Sequence, residues 1–505
     1  MEMIFLGLIL LVILAIGTAL VWQKINYNWL QNTTKYLIWS LPFEWFPRID
    51  IAGAGFRLSQ ALVLVAFWFL TILSVKKDPE LLQQEFSKLG YFLPIFLVLS
   101  SPSWLNIQNS NRFFVHFFGT VLCFGASFLI ASFETKIYER LKELSLVIFG
   151  VSVFGFYQYL GDLAGLPSYL TGLREQYTKI VFGVPRIQGL AIEPLYFAGM
   201  LCIPIIFWIT KICFDLLDSS SPDSAFDPIT IKSQEASLTN NHKIEQLNIL
   251  QSVQKFIQSD ALINNICKLA FVTLIFILTL SKGNFGVLVL ILILFFVFAI
   301  IYFQRFRDIL KRYGLMTFIL VFWLISGLSN SVDPVTLTGE IGKNFVETIA
   351  GTSASASERN KFLGEAILHI PEKGLQGIGM GQYGQYVGDD LGGLNAGDQA
   401  IVNNVYVEVF LEEGLLALIW FLFILVFPLW KLVIKIKRVN RHPQLDWGSH
   451  NFTDKQNIQI ASTSLFFVLL GYYLQWNLFS PIFIMPIFIL LGLAYSLVES
   501  KVDQN

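Results

Sequence analysis

The chain has 505 residues, of which 54% are hydrophobic, 15% aromatic and only 14% charged, with a mean hydropathy of +0.61. A soluble protein carries nearer a quarter charged residues, so the composition excludes an ordinary soluble enzyme and predicts an all-α polytopic membrane protein. A net charge of −1 argues against nucleic acid as a partner, and the four cysteines (Cys123, Cys202, Cys213, Cys267) sit in or beside apolar runs, with no metal-site or disulfide spacing.

A helix crosses a bilayer with about 20 mostly apolar residues. In chain order the candidates are Ile4–Trp22, Leu58–Val75, Phe113–Ser132, Leu144–Leu160, Leu195–Cys213, Ile266–Leu280, Phe285–Phe303, Leu315–Leu328, Leu415–Val433, Ile458–Leu478 and Ile482–Leu497. Leu89–Ser101 is a shorter one. Tyr36–Phe46, which contains Pro42 and Glu44, reads either as a span or as an interfacial hairpin, so 12 or 13 spans are expected. The first apolar segment exceeds a signal-peptide core and is kept as a helix.

Positive charge orients the spans. Lys76, Lys77 and Lys88 form one cluster; Lys136, Arg140 and Lys142 a second; Arg305, Arg307, Lys311 and Arg312 a third; Lys435, Lys437, Arg438, Arg441 and Lys455 a fourth. All fall on one side when the spans alternate, and that side is expected to be the cytoplasm. The expected organisation is a transmembrane bundle over 1–160, an extracytoplasmic loop over 161–194 and a helix over 195–213. A Ser-, Asn- and Gln-rich disordered cytoplasmic loop follows over 214–262, then helices over 263–329. A large structured extracytoplasmic loop covers 330–404, and the C-terminal spans cover 405–505.

The exterior segments hold the candidate chemistry. Pro185-Arg186-Ile-Gln-Gly189-Leu-Ala-Ile-Glu193-Pro194 opens a span, with Pro194 suited to a first helical turn. Arg186 and Glu193 read as a cation and a carboxylate at the mouth of a site, or as interfacial charges that snorkel and complement a helix end. Ser355 and Glu358 have capping-box spacing, and Phe362, Leu363, Ala366, Ile367 and Ile370 recur at helical spacing until Pro371. An amphipathic helix is therefore expected over Ala356–Ile370. Arg359, in its first turn, is placed either to fork onto a phosphate or to pair with Glu358 or Glu365.

Gly374–Gly384 holds five glycines in eleven positions. It follows a helix and not a strand, so a tight connection against neighbouring backbone is expected, and a dinucleotide fingerprint is excluded. In Val402-Asn403-Asn404-Val-Tyr406-Val-Glu408, either asparagine can cap the helix that follows. Glu408, about one turn further, is costly unless it faces a polar cavity.

Taken in order, these segments resemble the O-antigen ligase and O-antigen polymerase superfamily of bacterial membrane glycosyltransferases. The resemblance runs through Arg186-x-x-Gly189 with Glu193-Pro194 and Ala198, Ser281-Lys282-Gly283, Arg359, Pro371 to Gly377-Ile-Gly379-Met-Gly381, Asn404-x-Tyr406 and Glu413-Gly414-Leu-Leu. It covers about Phe182 to Leu418. It implies a polyprenyl-diphosphate-linked oligosaccharide as donor and a carbohydrate acceptor, joined at the extracytoplasmic face of a bacterial cytoplasmic membrane. Membrane lipid and a chain-length regulator are the further partners, and no metal or other cofactor is required.

The same resemblance implies that Arg186 and Arg359 bind the donor diphosphate and that Lys282 adds a charge contact, with Asn403, Asn404 and Tyr406 on the substrate side. Guanidinium groups aimed at a departing diphosphate stabilise the transition state, and one such contact is worth about 3 kcal/mol, or roughly a hundredfold in rate. The chain departs from the ligases at Asn403, where they carry the histidine taken as the acceptor's base. An asparagine cannot take a proton at neutral pH, so Glu193 or Glu408 is the remaining candidate base. A polymerase of O-antigen, capsule or exopolysaccharide is the first expectation. A ligase is the second and a lipid-linked sugar transporter the third. Near-absence of charge inside the spans disfavours the transporter.

Overall fold

The computed structural model describes residues 22–43, 48–51, 54–172, 185–191, 193–219, 260–302, 354–387, 402–441, 452–476 and 484–499. The protein is an all-α polytopic membrane protein. Helix α1 spans Tyr27–Trp39, and a two-stranded antiparallel hairpin follows, Arg48–Ile51 against Ala54–Arg57. Then come α2 (Leu58–Lys76), α3 (Phe92–Ser100, extended by 3₁₀ turns at both ends), α4 (Ser110–Phe133), α5 (Ile137–Leu163), α6 (Pro194–Ser219), α7 (Asp260–Leu278) and α8 (Lys282–Tyr302). After a gap in the described residues follow α9 (Ala354–Lys373), α10 (Tyr383–Val387), α11 (Val405–Glu413), α12 (Leu415–Arg441), α13 (Phe452–Gln475) and α14 (Met485–Glu499).

Among the described residues, eight stretches are long and apolar enough to cross a membrane, and Leu262–Leu278 and Met485–Glu499 are shorter apolar helices. Each corresponds to a span expected from hydropathy. The expected spans Ile4–Trp22 and Leu315–Leu328 lie outside the described residues, apart from Trp22 itself.

The described part of the Tyr36–Phe46 stretch, Tyr36–Phe43, is not a spanning helix. Helix α1 ends at Trp39, and its Trp39 Nε1 donates to Glu143 at 3.1 Å. Just before the other end of α1, Lys76 Nζ donates to the carbonyls of Trp22 and Ile25, the latter at 3.0 Å. Lys76 and Glu143 both belong to the end of the bundle that carries the described basic clusters. With contacts to that end on both sides, α1 runs along it. Its single buried stripe of Leu30, Thr33, Thr34, Leu37 and Ile38 fits a helix covered on one side only.

Small residues let the spans approach closely. Ser127 Oγ of α4 donates to Phe488 O of α14 at 2.6 Å, and a Cβ on Gly492 would lie 2.7 Å from Ser127 O. Where lipid gives helices no hydrophobic reason to associate, such backbone proximity and interhelical bonding hold them together. The alternation of spans places Lys76, Lys88, Lys136, Arg140, Lys142, Lys435, Lys437 and Arg438 at one end, which we call the cationic end. The α3–α4, α7–α8, α11–α12 and α13–α14 connections lie at the other, the loop end.

Candidate functional site

At the loop end the chain enters α6 through residues 185–191. Ile187 N donates to Leu278 O at 3.3 Å, and Arg186 Nε donates to Thr279 O at 3.1 Å, so this segment docks on the C-terminus of α7. Helix C-terminal carbonyls carry partial negative charge, which suits a guanidinium. Burial pulls Arg186 below its ordinary pKa, and the charge of Glu193 opposes that shift. An arginine remains protonated through such a shift. Pro194 takes the first position of α6, and Glu193 O accepts from Phe197 N at 3.2 Å, so Glu193 stands at the mouth of that helix.

The α7–α8 turn is pinned to the same place. Leu280 has a left-handed backbone (φ 50°), and Asn284 Nδ2 donates to Leu195 O at 2.5 Å and to Ser281 Oγ at 3.2 Å. Lys282 opens α8 directly beside this tie; its side chain lies outside the described residues.

Residues 354–373 form α9, longer at both ends than the sequence pattern indicates, and Pro371 lies inside its last turn. A proline in the last turn gives up one N–H, and the following chain supplies bonds of its own, Gly374 N to Ile370 O (2.7 Å) and Gly377 N to Lys373 O (2.7 Å). Helix α9 packs on α11 through a small cluster containing Ala366, Ile378, Tyr383, Val402 and Leu411. Because α9 begins at Ala354, Ser355 lies inside the helix and is not its cap, and Arg359 falls beyond the first turn; the side chains of Ser355, Glu358 and Arg359 are outside the described residues.

The glycine-rich connection is a backbone clamp. Ile378 N donates to Leu411 O (2.9 Å) and Gly379 N to Glu412 O (3.0 Å). Gly377 (φ 86°) leaves no room for a side chain, since a Cβ there would lie 2.5 Å from Glu412 O. Beyond it, Gln382 Oε1 accepts from Gln108 N (3.0 Å) and Asn109 N (2.7 Å), and Asn106 Nδ2 donates to Gly377 O (2.7 Å). The loop is thereby tied to the α3–α4 connection as well as to α11.

Asn404 is the N-cap of α11. Its Oδ1 accepts from Tyr406 N and Val407 N, each at 3.1 Å, while Asn403 takes the left-handed conformation (φ 59°) that asparagine tolerates. Tyr406 OH donates to Tyr473 O at 2.8 Å, and burial raises its pKa. Val405 N donates to Trp476 O (3.0 Å), locking α11 to the end of α13. The side chains of Asn404 and Tyr406 thus hold α11 in place.

Glu408 is 4% exposed and lies in a polar cluster that the sequence reading missed. Glu408 and Glu412 share one face of α11 at i, i+4 spacing, and His116 reaches them from α4. Candidate ligand atoms of the three lie within 4.8 Å of one another. Glu412 Oε2 accepts from Gly381 N (2.7 Å) and its Oε1 from Tyr383 N (2.9 Å). Burial lifts the Glu412 carboxyl to about 7 against those bonds and the Arg112 charge, and burial with the charge of Glu412 raises Glu413 well above its ordinary value. A sequence signal did exist. Arg112 and His116 sit one turn apart at the head of an apolar span, and an ionisable pair there is exceptional.

The structure brings Arg186, Glu193 and the backbone of Lys282 together at the mouth of α6. It places Asn403 and Asn404 at the entry to α11 and Tyr406 and Glu408 in its first turn. Both groups share the loop end, with α13 lying between them: a Cβ on Gly199 of α6 would touch Gln475 at 2.8 Å, and the next residue, Trp476, holds Val405. No protein-family model matches this chain, and no curated protein matches it either.

Proposed function

We propose that the protein is a polymerase of a bacterial surface polysaccharide. It would transfer glycan from a polyprenyl-diphosphate carrier to a carbohydrate acceptor at the extracytoplasmic face of the cytoplasmic membrane. The observation that carries this reading is Arg186. It is a half-buried guanidinium at the loop end, oriented by one bond from Nε to Thr279 O, with Glu193 beside it and the Ser281-Lys282 turn following the same helix end. That bond leaves both Nη nitrogens outside it, and a guanidinium fixed in this way suits a diphosphate oxygen.

Chemically, the leaving diphosphate gains negative charge as the glycosidic bond breaks, and a preorganised cation lowers that barrier. The acceptor hydroxyl must lose a proton. Of the two carboxylates considered for this, Glu193 stands beside Arg186, whereas Glu408 is enclosed with His116 and Glu412. Glu193 is therefore our choice of base.

The test is chain growth by the purified protein in detergent, supplied with lipid-linked oligosaccharide. Lengthened product is expected from the wild type, and product retained on donor but not lengthened from Glu193→Gln. A wild-type preparation that binds the lipid-linked sugar without ever lengthening it rejects the enzyme and favours a transporter.

A further inference from the structure

We propose that His116, Glu408 and Glu412 bind one divalent first-row metal ion, zinc or manganese, that ties α11 and the glycine-rich loop to α4. This inference does not rest on glycosyl transfer.

The donors come from two elements far apart in the chain and converge inside the protein. Candidate ligand atoms of all three residues lie within 4.8 Å of one another. A metal with bonds of about 2.0–2.2 Å needs its ligands roughly 3–4.4 Å apart, so a shift of a few tenths of an ångström closes the set. One helix face supplies both carboxylates at i, i+4 spacing, an arrangement that side chains of a single helix use to share a ligand.

The surroundings are built for such a role. Gly381 lies between the two sides: its N–H bonds Glu412 Oε2 at 2.7 Å, and a Cβ at its Cα would meet His116 Cδ2 and Cγ at 2.8 Å. The loop therefore presses on the imidazole and orients the carboxylate at once. With Tyr383 N on Oε1 and the Gln382 N–H as a third backbone donor, the Glu412 carboxylate still keeps about one of its four lone-pair sites for a ligand. Outer hydrogen bonds of this kind orient metal-binding carboxylates.

Charge points the same way. Glu408, Glu412 and Glu413 are each at most 4% exposed, and the charged group facing Glu412 from α4 is Arg112. One guanidinium balances one carboxylate. Glu413 adds an independent observation: its Oε2 is buried with no hydrogen-bond partner among the described residues, next to Glu412. A divalent cation between α4 and α11 would give Glu408 and Glu412, once ionised, the countercharge that one guanidinium does not supply to both. Imidazole with carboxylates favours zinc or manganese over magnesium, calcium or copper(I).

The experiment uses the full-length protein, purified in detergent without chelators. Elemental analysis is expected to find zinc or manganese at one ion per chain. After EDTA treatment, adding either ion should raise the melting temperature by several degrees. That rise is expected to vanish in His116→Ala and Glu408→Gln and to persist in Glu139→Gln at the cationic end. Only trace metal with no thermal response to either ion overturns the proposal, as does an undiminished response in His116→Ala. If those variants fail to accumulate, X-ray absorption of the zinc-loaded wild type decides. An imidazole nitrogen with carboxylate oxygens supports the site, and a sulfur-containing shell overturns it. Loss of metal binding leaves the Arg186 chemistry untouched, and loss of chain growth in an Arg186 variant leaves the metal site untouched.

Discussion

The two ends of the bundle treat buried charge in opposite ways. At the cationic end, Glu134 is 5% exposed and accepts from Arg140 Nε at 2.7 Å and from Lys136 N at 2.9 Å. Arg140 Nη1 then bonds Glu143 at 2.7 Å, and Lys35 stands 3.7 Å from the same carboxylate. Carboxylates and cations alternate along this chain of contacts, and Lys435 finishes against the Leu497 carbonyl at 2.7 Å. At the loop end, Glu408, Glu412 and Glu413 gather beside Arg112 and His116, and the Arg186 guanidinium is bonded through Nε to the carbonyl at a helix terminus. Balanced networks make structure. An end that concentrates acid and exposes an oriented cation is arranged to receive something else.

The contrast predicts where mutations separate activity from stability. The largest effect is expected for Arg186→Ala: a loss of about a hundredfold or more in chain-growth rate, roughly 3 kcal/mol of transition-state stabilisation, with the melting temperature little changed. Rate assays on lipid-linked oligosaccharide alongside thermal unfolding check it, and an unaltered rate removes Arg186 from the chemistry. Arg140→Met should do the reverse. It strands Glu134 without its cation and is expected to cost about 3 kcal/mol of stability, while rate per folded molecule is preserved. Thermal unfolding and the rate of the surviving fraction measure both halves.

Smaller effects test the clamp between these regions. Gly381→Ala forces a side chain into a left-handed backbone (φ 72°) and against His116. About 2 kcal/mol of destabilisation is expected, read as earlier unfolding or as new protease cleavage in the loop. Asn404→Ala removes the α11 cap at a cost of about 1 kcal/mol. If Asn404 bound substrate directly, that variant would lose rate without losing stability, so the ratio of the two effects sharpens the assignment.

Much of the fold was legible because hydropathy is a local property. The α2, α4, α6 and α12 segments each carry enough apolar residues in succession to be read as spans without knowing a neighbour. The glycine connection was also legible as a tight approach to other backbone, which Gly377 makes against Glu412. The region around Tyr36 was not. A helix of 13 residues with one buried stripe has the composition of either a half-span or a surface helix, and only its contacts with Lys76 and Glu143 separate them.

For the site, the amino-acid pattern by itself determined the membrane class, the sorting of basic clusters to one end and the capping role open to Asn404, since each depends on residues adjacent in the chain or on simple alternation. Tertiary structure alone decided that Arg186 meets Thr279 and that His116 meets Glu408 and Glu412. Those pairs join segments at least two spans apart in the chain, and nothing in local spacing encodes which helices become neighbours. Helix packing chooses them, through small residues such as Gly492 and Ser127 that set how closely two backbones approach.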